Sequence, residues 1–340
     1  GDRDMADNLR RTDKPVVLAV NKSDNERREA ATSEFYALGL GDPLPISAHH
    51  NIGIDDLVVR VVKLLPERAL SPELEADIKL AIVGRTNVGK SMLVNAITGQ
   101  ERAIVSDVPG TTRDALDTLV VHGDESILLI DTAGIRRRGR IEPGIERYSV
   151  LRAIRAIDRA DVVVLVTDAS ELATSQDSHI AGPVLDSYKG MVIAVNKWDL
   201  SETLNMTRED TQQHVAGRFK FARYTPIRFI SALTGAGVGG LLETVRSVYD
   251  EWTKSVPRYD LRRTIMNAVA DNPPSPSGRR SLKIYSVAQD GTGPPSFTFY
   301  VNRSDMVHFS YRRYLENSLR TAYAFTGSPL RMRFKGRGER

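Results

Sequence analysis

The chain has 340 residues, 41% hydrophobic and 26% charged, with a formal net charge of +4, which leaves room for two or three domains and a substantial core. It contains no cysteine, and this excludes a disulfide framework or a thiolate metal site. No apolar run approaches the roughly 18 residues that suggest a membrane helix, and there is no signal-like start, so a cytoplasmic, monomeric protein with no membrane partner is expected.

In chain order, the first apolar run, Lys14 to Val20, reads as a strand that delivers Asn21-Lys22-Ser23-Asp24. Pro45-Ile46-Ser47-Ala48 closes a second short run, and a glycine, Gly53, follows it before the next apolar stretch. Both pieces recur further along, and their meaning comes from that second copy. The acidic, Pro-bearing stretch Pro66 to Ala76 reads as a linker.

Lys79-Leu80-Ala81-Ile82-Val83 is a short apolar strand followed directly by Gly84-Arg85-Thr86-Asn87-Val88-Gly89-Lys90-Ser91 and then Met92. G-x-x-x-x-G-K-S after a strand is a phosphate-binding loop in its required context. The glycines let consecutive N–H groups face a β-phosphate, Lys90 neutralises the β and γ oxygens, and the Ser91 hydroxyl can hold Mg²⁺. Pro109-Gly110-Thr111-Thr112-Arg113-Asp114 falls where such domains carry a first switch. Thr112 is the residue expected to complete the Mg²⁺ shell, with Thr111 as the alternative.

Ser126 to Ile130 reads as a buried strand ending in Asp131-Thr132-Ala133-Gly134. Asp131 can reach Mg²⁺ through water, and the Gly134 N–H can approach a γ-phosphate. The next residue is Ile135, so a glutamine that orients the attacking water is missing. Ile135 to about Tyr148 is expected to form a second switch. Its arginines make it either a solvated basic loop or a contact for RNA or a partner.

The strand Met191 to Val195 delivers Asn196-Lys197-Trp198-Asp199. Asp199 can accept from guanine N1–H and the exocyclic amine, which adenine cannot offer, so GTP and GDP are the expected ligands. Lys197 is expected along the base and ribose. After Ile227 to Ile230, Ser231-Ala232-Leu233 is expected to supply a backbone N–H to guanine O6. Four such motifs in order, each at a strand end, fit one doubly wound, mostly parallel α/β domain over residues 77–252. The early Asn21-Lys22-Ser23-Asp24 and Ser47-Ala48 repeat the last two motifs. Residues 1–65 therefore read as the back part of another such domain, with guanine-reading residues but no phosphate loop, and its front half is expected to be missing.

From Asp250 to Arg340 there are 16 Lys and Arg against 8 Asp and Glu. The excess points to a polyanion, most directly RNA, as the partner of residues 257–340, a reading that competes with docking of this segment against the nucleotide-binding domains. This segment reads as a helix near 261–270, a hairpin of strands near 282–289 and 296–301, a helix near 310–324 and a strand at 329–334. The six histidines show no metal-ligand spacing.

This order of domains resembles the EngA (Der) family of bacterial tandem GTPases. The resemblance is carried by Gly110 to Asp114, Asp131 to Gly139 and His308-Phe309-Ser310-Tyr311-Arg312-Arg313-Tyr314-Leu315-Glu316-Asn317. It implies a P-loop GTPase domain flanked by a partial second GTPase domain and a small α+β, KH-like domain. It also implies GTP hydrolysis in the maturation of the large ribosomal subunit through its ribosomal RNA. In GTPases with Asn at the position of Asn87 and a G-T-T-R-D first switch, the side chain resembles a ligand for K⁺, so Asn87, Lys90 and Thr112 form the expected catalytic set. The KH-like segment lacks the G-x-x-G loop that clamps nucleotides in KH domains. Two other readings stay open: an RNA-binding scaffold in which nucleotide is a structural ligand, and an Era-like or MnmE-like GTPase acting on other RNA.

Overall fold

The computed structural model describes residues 2–10, 15–24, 31–50, 52–64, 76–100, 102–104, 117–132, 146–274 and 281–336. Most of the expected linker (65–75), the first switch with Thr111 and Thr112, and Ala133 to residue 145 lie outside the described residues. The chain divides into two compact units, Gly1–Glu73 and Leu74–Arg340.

The larger unit is built on seven strands: β3 (Ile78–Val83), β4 (Arg102–Ile104), β5 (Thr118–His122), β6 (Glu125–Ile130), β7 (Val162–Asp168), β8 (Gly190–Asn196) and β9 (Ile227–Phe229). They are ordered β4-β5-β6-β3-β7-β8-β9. The pairs from β6 to β9 are parallel, and β4 and β5 join antiparallel at one edge. Parallel strands need cover on both faces and so read as unbroken apolar runs. Every residue of β7 and β8 is buried. Alternate side chains feed two cores. Leu80, Ile82, Val162, Val164, Val192 and Ala194 pack with Leu93 and Ile97 of helix α3 (Lys90–Gln100) and Leu241 and Val245 of α7 (Val238–Thr253). Ala81, Val83, Val163, Leu165, Ile193 and Val195 pack with Ile157 of α4 (Glu146–Arg159), Val184 of α5 (Ser175–Asp186) and Val215 of α6 (Arg208–Arg218). The phosphate-loop, Asp-x-x-Gly and Asn-Lys-x-Asp segments all leave the carboxyl ends of parallel strands, on one edge of the sheet.

The same unit continues into a three-stranded sheet, β10 (Ile284–Gly291), β11 (Ser296–Val301) and β12 (Arg331–Lys335), with helices α8 (Arg258–Asp271) and α9 (Phe309–Tyr323). β11 pairs antiparallel with β10 and parallel with β12. Phe297, Phe299, Val301, Val287 and Met332 pack with Leu261, Ile265, Leu315 and Leu319 on one face. The first strand starts two residues later than the apolar pattern from Leu282 suggests. Ahead of it the chain is held by the Asn302 amide, which accepts from the Lys283 N–H (2.8 Å) and donates to the Ser281 carbonyl (2.8 Å).

This small layer is joined to the large sheet by a polar seam. The Met191 N–H at the start of β8 donates to the Gly327 carbonyl (2.8 Å), and the Gly327 N–H donates to the Tyr224 carbonyl (2.7 Å). The Gly293 N–H, between β10 and β11, donates to the Trp252 carbonyl (3.0 Å). Gly327 has φ +70°, and a Cβ there would press into the Val248 side chain and lie 2.9 Å from the Met191 carbonyl. Arg320 lies 3.7 Å from the Tyr224 ring centroid and donates to the Phe325 and Ser328 carbonyls (3.0 Å each). Burial pushes the Tyr224 phenol up to about 12 despite the opposing Arg320 cation. An Arg320→Ala variant removes the stack and strands two carbonyls, a loss of roughly 2–4 kcal/mol. Thermal unfolding followed by calorimetry should show the first transition lowered by several degrees. Lysine should restore little, because it cannot present the planar fork.

The smaller unit holds α1 (Asp2–Arg10), β1 (Ala19–Val20), β2 (Leu44–Pro45) and α2 (Ile54–Leu64), with β1 and β2 parallel. Its turn geometry repeats that of the larger unit. Asn21 Oδ1 accepts from the Ala48 N–H (3.1 Å), as Asn196 Oδ1 accepts from Ala232 (2.8 Å). Gly53 and Gly237 share a left-handed φ, +69° and +77°, and a Cβ would lie 2.5 Å from the Pro45 carbonyl or 2.6 Å from that of Phe229.

Candidate nucleotide-binding site

The loop after β3 is shaped by its glycines and tied down on both sides. Gly84 (φ +150°) passes so close to the Val166 carbonyl, and Gly89 (φ +97°) to the Asn196 amide, that a Cβ at either would overlap them. Asn87 adopts φ 65° at the turn. Lys90 folds back over the loop and donates to the Gly84 carbonyl (2.7 Å) and to that of Arg85. The resulting cradle of backbone with an ammonium above it fits a phosphate chain.

The Arg85 side chain ties the loop to α5 and the segment before it. Its Nε donates to Asp177 (3.0 Å) and its Nη1 to Glu171 (2.7 Å). The Asp177 side chain is fully buried and also closes the capping box of α5, accepting from the Thr174 N–H (2.9 Å) and hydroxyl (3.0 Å). Burial works against the charge of Arg85, and Glu171 with Asp177 outweighs it, raising its pKa.

The base-reading side is bonded to the loop directly. Asn196 donates from Nδ2 to the Val88 carbonyl (2.7 Å) while its Oδ1 takes the Ala232 N–H (2.8 Å). The Ser231 N–H goes to the Ala236 carbonyl (2.9 Å). Within Ser231-Ala232-Leu233 the first two N–H groups are thus engaged, and Leu233 is 70% exposed. Asp199 accepts from the Ser231 hydroxyl (2.5 Å), which fixes the carboxylate for two parallel acceptor contacts. Trp198 packs on Phe229 with ring centroids 4.3 Å apart.

Three positioning carboxylates escape the motif reading. Asp168, at the end of β7, lies 2.5 Å from the Lys197 ammonium. Burial opposes its ionisation, but Lys197 and Ser170 outweigh this and hold its carboxyl below the usual range. Asp177 anchors Arg85 as above. Asp117 accepts the Asp131 N–H (2.8 Å) and is held by Arg159. Next to it the Thr118 and Thr132 hydroxyls share a buried hydrogen bond of 2.8 Å. Asp131 itself takes a left-handed φ of 56°. The Ser91 hydroxyl and the Asp131 carboxylate are the hard oxygen donors that Mg²⁺ prefers. Thr112, Ala133, Gly134 and Ile135 lie outside the described residues. An acidic residue ending a buried strand on the same edge is the signal that points to Asp168.

Asp168→Asn leaves Lys197 unpaired and should weaken GDP binding about tenfold, read by titration with a fluorescent GDP. A depressed carboxylate contributes fully above its ordinary pKa of ~3.9 and loses that contribution only as pH falls through its lower folded value. The wild-type advantage over Asp168→Asn should therefore be flat from about pH 5 upward.

Residues 79–197 match the family described as 50S ribosome-binding GTPase, and residues 256–335 match the C-terminal KH-domain-like family of EngA bacterial GTPases. The GTPase Der of Thermomicrobium roseum is 49% identical over 340 residues, covering 99% of this chain and 74% of the relative. The chain belongs to the Der (EngA) family of GTPases. Der of Chloroflexus aggregans is 48% identical over 99% of this chain and 75% of its own length, and Der of Moorella thermoacetica 47% identical over 100% and 77%. The chain thus spans about three quarters of these relatives. As a member of the Der family it is a guanine-nucleotide-binding GTPase, and its C-terminal sheet is the KH-like domain of that family. Among the described residues no helix is long and apolar enough to cross a membrane.

Proposed function

We propose that this GTPase is a cytoplasmic, monomeric factor that docks on the immature large ribosomal subunit through ribosomal RNA and uses GTP hydrolysis to time its release. Residues 77–252 act as the nucleotide-switched domain, 257–340 as the RNA-facing domain, 66–76 as a linker and 1–65 as part of a second GTPase domain. The observation that carries this reading is the seam at Met191 and Gly327, which ties the basic KH-like domain to the strand that ends in the guanine-reading residues.

In the site, Lys90 balances charge on the β and γ oxygens, Ser91 and Thr112 ligate Mg²⁺, and Asp131 reaches it through water. A magnesium ion there offsets negative charge between the phosphates. Asp199 and the Leu233 N–H select guanine. Arg85 and Asp168 act at one remove, the first on the phosphate loop and the second on Lys197.

Asn87 is assigned to K⁺, in the position where a cation can stabilise charge that develops on the phosphates. The expected result is turnover at least tenfold faster in K⁺ than in Na⁺, with the difference abolished in Asn87→Ala. Equal rates in the two salts would remove K⁺ from the reading.

The test of the whole reading is crosslinking of the GTP-analogue-loaded protein to RNA in cells, followed by sequencing. Large-subunit ribosomal RNA is expected. Small-subunit or transfer RNA alone would overturn it.

A further inference from the structure

The C-terminal sheet has a second face. Strand alternation sends Phe297, Phe299 and Val301 toward helices α8 and α9, so their neighbours face away. The register places Ser286, Tyr300 and Lys335 in one row across the three strands and Ala288, Thr298 and Arg333 in the next. Gln289 holds the chain leading into α8 against the sheet edge, accepting from the Val256 N–H (2.8 Å) and donating to the Lys254 carbonyl (2.8 Å). Thr298 and Ser296 on this face are buried and Arg331 stacks on Tyr188 (4.6 Å), so the face is exposed at its Tyr300 end, and there, against the chain leading into α8, lies a cavity of about 480 Å³ lined by Ser255, Val256, Arg258, Ser286, Ala288, Gln289 and Tyr300. Tyr300 is 44% exposed and Tyr285 beside it 50%.

Charge on this face is unbalanced. Among the described residues Arg258 and Lys335 have no carboxylate partner, and Arg333 meets Asp290 only at 3.9 Å. Asp290 is already engaged by the Thr298 hydroxyl (2.7 Å). A cavity in the range of roughly 300–1,000 Å³ that holds one small ligand, lined by an aromatic ring, two serine hydroxyls and a guanidinium, has the composition of a stacking platform for an unpaired base.

The geometry points to a single-stranded RNA site on this face. One unpaired base lies against Tyr300 within reach of the Ser255 and Ser286 hydroxyls, and the flanking phosphates meet Arg258, Lys335 and Arg333. The site rests on the reading of the KH-like domain as RNA-facing but differs from a helix-side clamp, for which the sequence has no G-x-x-G loop. It reads any base that can be unstacked, so it selects single strand over duplex more than it selects sequence.

The test uses the full chain, a fluorescein-labelled 12-nucleotide RNA of mixed sequence and the same RNA annealed to its complement, followed by anisotropy across a salt series. The wild type is expected to prefer the single strand. Tyr300→Ala should weaken it about tenfold while Tyr300→Phe keeps it. Lys335→Ala should lower the slope of log affinity against log salt by about 0.7. All three variants should keep wild-type GTP turnover, which also checks that they fold. Single-strand affinity unchanged in Tyr300→Ala, or equal binding of duplex and single strand, would overturn this site and leave the ribosomal reading standing. A wild-type chain that binds neither RNA would count against both.

Discussion

Gly89→Ala is expected to weaken GDP and GTP binding by two to four orders of magnitude in a chain that still folds, because one methyl group disturbs both halves of the site. The residue sits at φ +97°, and a Cβ would overlap the Asn196 amide nitrogen. That same nitrogen donates to the Val88 carbonyl (2.7 Å). Relief of the overlap must break the bond between the base-reading turn and the phosphate loop. A strained φ of this kind costs roughly 1–3 kcal/mol, and a buried hydrogen bond left unmade about 1–3 kcal/mol more. The two together correspond to the stated loss of affinity. Titration with a fluorescent GDP reads the affinity, and far-ultraviolet circular dichroism checks the fold. Affinity within tenfold of wild type would mean that the loop and the base-reading turn are independent.

Asp199→Asn is expected to exchange guanine for xanthine. The carboxylate offers two acceptors to two donors of guanine, N1–H and the exocyclic amine. An amide offers one acceptor and one donor. Xanthine keeps N1–H but carries a carbonyl where guanine has the amine, so it matches the amide. A site built to hydrogen-bond a group rejects the mismatched ligand strongly, since buried polar atoms are left unpaired. GTP turnover at low substrate should fall by about 100-fold or more, and XTP turnover should rise to within about tenfold of the wild-type rate with GTP. The Ser231 hydroxyl, now 2.5 Å from the Asp199 carboxylate, can donate equally to the amide oxygen and so orients the new side chain. Steady-state phosphate release with both nucleotides measures the exchange. Loss of GTP turnover with no gain of XTP turnover would show that Asp199 supports the turn more than it reads the base.

The parts of this site that are legible in the sequence are those that chemistry forces into local patterns. A tight turn needs glycine, so Gly84 and Gly89 stand out. Parallel strands covered on both faces give apolar runs, so β3, β6 and β8 are visible, with ends within one residue of those the runs suggest. Ties across long sequence separations are not visible. Arg85 and its partners Glu171 and Asp177 are 86 and 92 residues apart, and each reads alone as an ordinary charged residue. Arg85 thus reads as a loop residue near phosphate, while its ion pairs with Glu171 and Asp177 go unseen. Asp168 and Lys197 meet only because their strands lie side by side. The seam under the KH-like domain is hidden for another reason. Its hydrogen bonds run through main-chain groups of Met191, Gly327, Tyr224, Gly293 and Trp252, which carry no side-chain signature. His308 shows the limit of reading by residue type, since its Nδ1 caps α9 by accepting from the Ser310 N–H.

Strand β8 is seven residues long and buried throughout, with Asn196 at one end and, near the other, the Met191 amide whose proton sits on the Gly327 carbonyl. Deuterium can reach that proton only when the two layers part. Exchange at Met191 is therefore a built-in clock for separation of the KH-like domain, readable in the intact protein without a label, and its rate with GDP set against its rate with a GTP analogue says whether nucleotide state loosens the joint.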